Sequence, residues 1–211
     1  MLLVYTHKIT PRLRYSFNHF FKNVLGVEVE FTTKLGVFIA QSGPKFSYTN
    51  TPLGNEFFVH SNSLLFEQGI QEIDIEMSKW DDLPAFFGCN NSSMIPFDVF
   101  AASFYLISRY EEYLLHVKDE NGRFVSRNSL AVQHDFIDMP LIDFWAKKVM
   151  ALLVDKFPEL SSEGNKMAKS IPLVEVVSPY KYIHKSLLRN LVQFFMSLSK
   201  FELWNIVEQF F

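Results

Sequence analysis

The sequence predicts an α/β fold: a mixed, partly parallel sheet flanked by helices, followed by a strand-plus-helix stub. Three observations carry this. Strand, helix and strand patterns follow one another between Leu2 and Phe31. A helix pattern apolar on most of its circumference begins at Pro96. A β-branched apolar run, Ile171–Val177, precedes a helical C-terminal stretch. The composition fits a packed chain: of 211 residues, 48% are hydrophobic and 20% charged, which excludes disorder. Phe occurs 23 times and Gly 8 times, so the chain is aromatic-heavy and glycine-poor.

The elements follow in order. Leu2–Thr6 combines β-branched and aromatic residues, as a strand does. Thr10-Pro11 is an N-cap and first-turn pair. Leu13, Phe17, Phe20, Phe21 and Val24 then recur at helical spacing up to Gly26, the expected residue just past a helix end. Val27–Phe31 alternates, so it reads as a strand with one wet face. Strand, helix and strand over this length make a βαβ unit with a parallel pair. Gly36–Gln41 is short and fits either helix or strand. Lys45–Thr49, Glu56–His60, Ile73–Met77 and Ala85–Phe87 read as strands, with Trp80–Pro84 a turn between the last two.

The helix opened by Pro96 is expected to run to about Leu115, buried at its start and emerging at Ser108-Arg109. A second helix is expected from a cap at Asp138 to about Phe157, with Leu141, Trp145, Val149, Leu152 and Leu153 inward. The organisation is therefore an α/β domain over residues 1–160, a polar linker over 161–170, and a final segment over 171–211. In that segment Ile171–Val177 reads as a buried strand and Tyr180–Phe211 as one long helix or two.

Charge and motifs exclude several functions. The net charge is −3, with an acidic middle between mildly basic ends, which gives no footprint for nucleic acid. The one cysteine, Cys89, forms no intrachain disulfide and has no base beside it in sequence, so it reads as an incidental thiol. No stretch is long and apolar enough to span a membrane, and no signal segment opens the chain, which reads as cytoplasmic. Phosphate-binding glycine loops and the nucleophile elbow are missing. No two histidines lie at helical spacing for a metal.

The remaining candidates are polar groups around the helix 97–115. Asp98, Arg109, Glu111 and Glu112 could form a binding site at its mouth, or Arg109–Glu112 could be an ion pair on a solvated helix end. His134, Asp135 and Asp138 offer metal-ligand types, with capping and turn chemistry the plainer reading. Lys181, Lys185 and Arg189 make a basic helical stripe.

Several segments carry a resemblance to a known architecture: Met1–Arg12 (MLLVYTHKITPR), Pro52–Glu56 (PLGNE), Leu65–Ile70 (LFEQGI), Pro96–Tyr113 (PFDVFAASFYLISRYEEY), Asp119–Phe124 (DENGRF) and Pro140–Ala146 (PLIDFWA). Together they resemble the uncharacterised domain that precedes a polysaccharide deacetylase (NodB-type) barrel in Bacteroidetes proteins. The resemblance covers about residues 1–160. It implies that Ile171–Val177 corresponds to the first barrel strand, which in those deacetylases carries an Asp-x-Asp pair. There the first Asp is the general base and the second binds a divalent metal such as zinc, with a His-x-x-x-His pair further on. Here Glu175 matches the first Asp and Val177 the second. Valine cannot ligate a metal, and no such His pair follows.

The resemblance therefore implies a non-catalytic accessory module with a truncated, degenerate start of the barrel. It would use no metal cofactor, and it would associate with glycan or with another protein chain through the C-terminal stub. Two alternatives stand beside it. The N-terminal domain is itself an enzyme with its polar site at the end of the helix 97–115, or the chain is a structural, oligomerising partner.

Overall fold

The structure is a computed structural model that describes residues 1–89, 92–162, 171–176 and 186–199. The chain divides into two units, Met1–Met167 and Ala168–Phe211.

The first unit is α/β. Its main sheet has four strands, β1 (Leu2–Tyr5), β2 (Val29–Thr32), β3 (Lys45–Thr49) and β4 (Phe57–His60), in the order β2-β1-β3-β4. All three pairings are parallel. The first crossover is α1 (Pro11–Phe17), which begins as the sequence predicts: the Thr10 hydroxyl accepts from Leu13 N at 3.1 Å, and Pro11 fills the first turn. It runs on as a wider π-turn over Asn18–Leu25 and stops at Gly26, whose φ of 73° is open to glycine at no steric cost. The second crossover, α2 (Leu35–Ala40), resolves the helix-or-strand ambiguity there as helix. The link from Thr49 to Phe57 holds no helix and is shorter than the dozen or so residues a parallel crossover usually takes.

Register sorts the two faces. Val4, Phe46 and Tyr48 lie level with Phe31, Phe57 and Val59 on one side, where α1 packs. Tyr5 lies on the other, 5.5 Å from the ring of Phe38 in α2. The first connection runs from β1 out to β2 and the second from β2 back past β1 to β3, so the two crossovers cover opposite faces.

The long apolar helix, α3, spans Val99–Ile107 and is sealed in the core: Val99, Phe100, Ala101 and Ala102 have no exposed surface. Phenylalanine supplies most of the filling. Phe100 stacks on Phe17 at 3.9 Å between centroids and also meets Phe20, Phe21, Phe46 and Tyr48. α3 ends earlier than the pattern predicts. Arg109 takes a left-handed φ of 51°, and Tyr110–Tyr113 form a 3-10 turn instead. The turn swings Tyr110 inward, where its hydroxyl accepts from Gln71 N at 2.9 Å. Packing of one aromatic side chain outweighs helical propensity at that point.

A separate hairpin pairs β5 (Met77–Trp80) with β6 (Leu83–Phe86), antiparallel. The sequence places these strands a few residues away, at Ile73–Met77 and Ala85–Phe87; the turn narrows to Asp81-Asp82, with Asp81 at a left-handed φ of 53°. A short helix α4 (Leu130–Gln133) follows, then α5 (Leu141–Lys156). α5 buries Leu141, Trp145, Val149 and Leu153 as expected, and the Trp145 indole donates to Pro84 O at 3.1 Å. Asp138 does not cap it. Pro140 holds that place, without a side-chain bond.

The second unit is described at residues 171–176 and at α6 (Leu187–Ser199). The buried strand expected over Ile171–Val177 is not formed by residues 171–176: they have no regular structure, and Ile171, Leu173 and Val174 are exposed. A strand needs a partner for its backbone, and no strand among the described residues pairs with this run. Val177, Lys181 and Lys185 lie outside the described residues, as do the ends of the helix expected over Tyr180–Phe211; Arg189 is on α6. α6 exposes Leu188, Leu191, Val192, Phe195 and Leu198. No helix among the described residues is long and apolar enough to cross a membrane.

Candidate binding site at the carboxyl edge of the parallel sheet

In an open parallel sheet, the strand ends beside the point where chain connections diverge leave a natural crevice. Here that point lies next to β1. β1 runs out into Thr6-His7-Lys8, β3 into Asn50-Thr51 and β4 into Ser61-Asn62-Ser63. A cavity of about 380 Å³ lies at these ends, lined by His7, Asn50, His60, Ser61, Asn62, Ser63 and Phe66, within the usual range for ligand pockets. A second cavity, of about 480 Å³, shares Phe66 and is lined on its other side by Lys8, Thr10, Arg12 and Glu67.

Short-range bonds hold the loops that make the first cavity. Ser61 Oγ donates to Asn50 Oδ1 at 2.8 Å, tying the end of β4 to the end of β3. Asn62 Oδ1 accepts from Leu64 N at 3.0 Å and so caps a 3-10 turn, Ser63–Leu65. The Thr10 hydroxyl donates to Leu65 O, and Arg12 donates to Leu64 O at 3.0 Å while its guanidinium lies over the rings of Phe104 and Tyr110. His7 rests on Phe66, ring centroids 4.2 Å apart.

Asp98 anchors this edge from behind. Its side chain is fully buried. Oδ1 accepts from Phe100 N and Ala101 N, both at 3.0 Å, which makes it the N-cap of α3. Oδ2 accepts from the Tyr48 hydroxyl and from Asn62 N, both at 2.6 Å. One carboxylate thus joins β3, the loop after β4 and α3. Burial pushes it up to about 6 from the ordinary 3.8, against the pull of the four donors. Burial and the Asp98 charge raise Tyr48 well above the usual tyrosine range. The same two causes push the Cys89 thiol up to about 12, so it is a poor nucleophile.

The raised value fixes a sign. The folded chain holds the Asp98 proton more tightly than the unfolded chain does. The stability this adds is complete below about pH 4 and is lost as pH rises through about 6. Between those limits the protein should lose about 3 kcal/mol of unfolding free energy that the Asp98→Asn variant does not lose. Urea midpoints of both proteins across that range measure it; parallel pH profiles would show that Asp98 titrates as an ordinary carboxylate.

The structure separates the sequence-predicted candidates. Asp98 is at the start of α3, whereas Arg109, Glu111 and Glu112 lie beyond its other end. Arg109 pairs with Glu112, its side chain largely exposed. Glu111 accepts from Leu130 N at 2.8 Å and lines a different cavity with Tyr105 and His116. Glu175 is exposed on the irregular segment 171–176. Among the described residues, no three His, Cys, Asp or Glu side chains are grouped to hold a metal ion. Sequence reading missed His7, Asn50, His60 and Asn62 as neighbours. The available signal was positional: each sits at or just past the carboxyl end of a strand.

Fold and site define an α/β domain with an open parallel sheet and a polar cavity at its carboxyl edge. The chain belongs to a family of unknown function, DUF7033, whose model matches residues 2–158. No curated protein and no solved structure matches it.

Proposed function

We propose that this chain is a non-catalytic accessory module of polysaccharide deacetylase-like proteins, holding a glycan at the carboxyl edge of its parallel sheet. The carrying observation is the chemistry of the cavity, which sets amide, hydroxyl and imidazole groups around one aromatic ring. A sugar presents the matching surface, a ring of hydroxyl groups around apolar C–H patches. Two of the segments behind the resemblance, Met1–Arg12 and Leu65–Ile70, meet at this edge: Thr10 bonds Leu65, and the His7 ring lies tilted against Phe66. The Glu175 and Val177 positions support the non-catalytic part, because they lack the deacetylase pair of aspartates.

NMR of the full chain tests the reading, with chito-, galacto- and galacturono-oligosaccharides added in turn. At least one series is expected to shift the His7 and His60 imidazole signals, and His60→Ala to weaken that binding about tenfold. No shift with any series would overturn glycan binding. Zinc-dependent release of acetate from acetylated chito-oligosaccharides would overturn the non-catalytic assignment.

A further inference from the structure

The internal bonds of the cavity decide which polar groups remain for a ligand. An amide offers one acceptor oxygen and two N–H donors. The Asn50 oxygen is taken by the Ser61 hydroxyl, and the Asn62 oxygen by Leu64 N. The Ser63 hydroxyl is spent on Glu67. Each asparagine oxygen already accepts one internal bond, and each NH₂ group keeps both its N–H donors, with no partner among the described residues. His7 and His60 add two imidazoles whose ring nitrogens have no hydrogen-bond partner among the described residues.

Among the described residues, no carboxylate lines this cavity. Glu67 accepts from Ser63. Asp98 lies behind Asn62, with both oxygens filled by Tyr48, Asn62 N, Phe100 N and Ala101 N. A pocket whose amide N–H groups have no partner among the described residues, and whose amide oxygens already accept an internal bond, favours a ligand rich in acceptors.

We infer that the group this cavity takes is an oxyanion, specifically the carboxylate of an acidic sugar, met by the amides of Asn50 and Asn62 and the imidazoles of His7 and His60. The sugar rests on the glycan reading above; the oxyanion rests on the cavity alone. Phosphate shares the same chemistry and is separated from a uronate by experiment.

The test is calorimetric titration of the full chain with three probes: a galacturonic acid trisaccharide, the neutral galactose trisaccharide, and inorganic phosphate. The uronate should bind about tenfold more tightly than its neutral counterpart. Asn50→Asp keeps an oxygen to accept from Ser61 but replaces the free NH₂ with a negative charge. It should remove the preference for uronate and leave the thermal midpoint nearly unchanged. Should that variant not fold, His7→Glu on the exposed rim places the same charge there and should give the same loss. Equal binding of acidic and neutral sugars, with no effect of either variant, overturns the inference and leaves glycan binding standing. Phosphate binding with neither sugar bound supports the oxyanion and overturns the glycan reading. Binding of none of the three overturns the inference.

Discussion

Replacing Asp98 with alanine should lower the unfolding free energy by about 3–5 kcal/mol, a large fraction of what a typical domain has. The substitution does more than empty a small volume. It leaves the Tyr48 hydroxyl and the N–H groups of Asn62, Phe100 and Ala101 without their acceptor in a site closed to solvent. Each orphaned donor costs about 1–3 kcal/mol, less whatever a bound water recovers. Asp98→Asn should lose less, because one amide oxygen still caps α3 while its NH₂ meets the Asn62 N–H badly. Urea denaturation followed by tryptophan fluorescence orders the three proteins. A loss below about 1 kcal/mol for alanine would show that the carboxylate is not the junction its bonds describe.

Phe100→Ala is expected to cost a similar amount, about 3–5 kcal/mol, for a different reason. Phe100 has no exposed surface and sits among Phe17, Phe20, Phe21, Phe46 and Tyr48, which come from α1, its π-turn extension and β3. Five aromatic rings cannot close over the space of a sixth without leaving their rotamers, so most of the cavity persists. Phe100→Leu keeps much of the volume and should cost less than half as much. Thermal and urea unfolding of both variants check this. A small loss for alanine would mean that the ring cluster collapses freely.

How far the sequence can be read depends on how local the determinants are. The first strand, helix and strand were legible because Thr10-Pro11, the apolar spacing and Gly26 all act within a few residues of one another. α3 was legible as a buried apolar helix but not at its bounds: it begins at Val99, capped by Asp98, rather than at Pro96, and it ends early where Tyr110 is drawn to Gln71 across the fold. Ile171–Val176 shows the opposite case. Its apolar, β-branched composition fits a strand, yet a strand exists only with a neighbour to bond. The site was the least legible part. Asp98 stood out as a candidate, but its partners Tyr48 and Asn62 come from other elements, and His7 and His60 become neighbours only through the strand order β2-β1-β3-β4. The Phe-rich, Gly-poor composition was informative in one respect: most of the phenylalanines among the first 104 residues are buried and form the core.

That same strand order leaves the sheet with two unlike margins. Beyond β4, Met94 N donates to Phe58 O at 2.9 Å and the Ser93 hydroxyl accepts from His60 N at 3.1 Å, so that margin is occupied by the chain itself. Beyond β2, no strand among the described residues pairs with the outer backbone. An open strand margin invites other molecules to add to it and grow aggregates. β2 is only four residues long and carries the exposed Glu30, with a Lys22–Glu28 ion pair beside it. Short length and charge at this one margin work against the pairing of separate copies along β2.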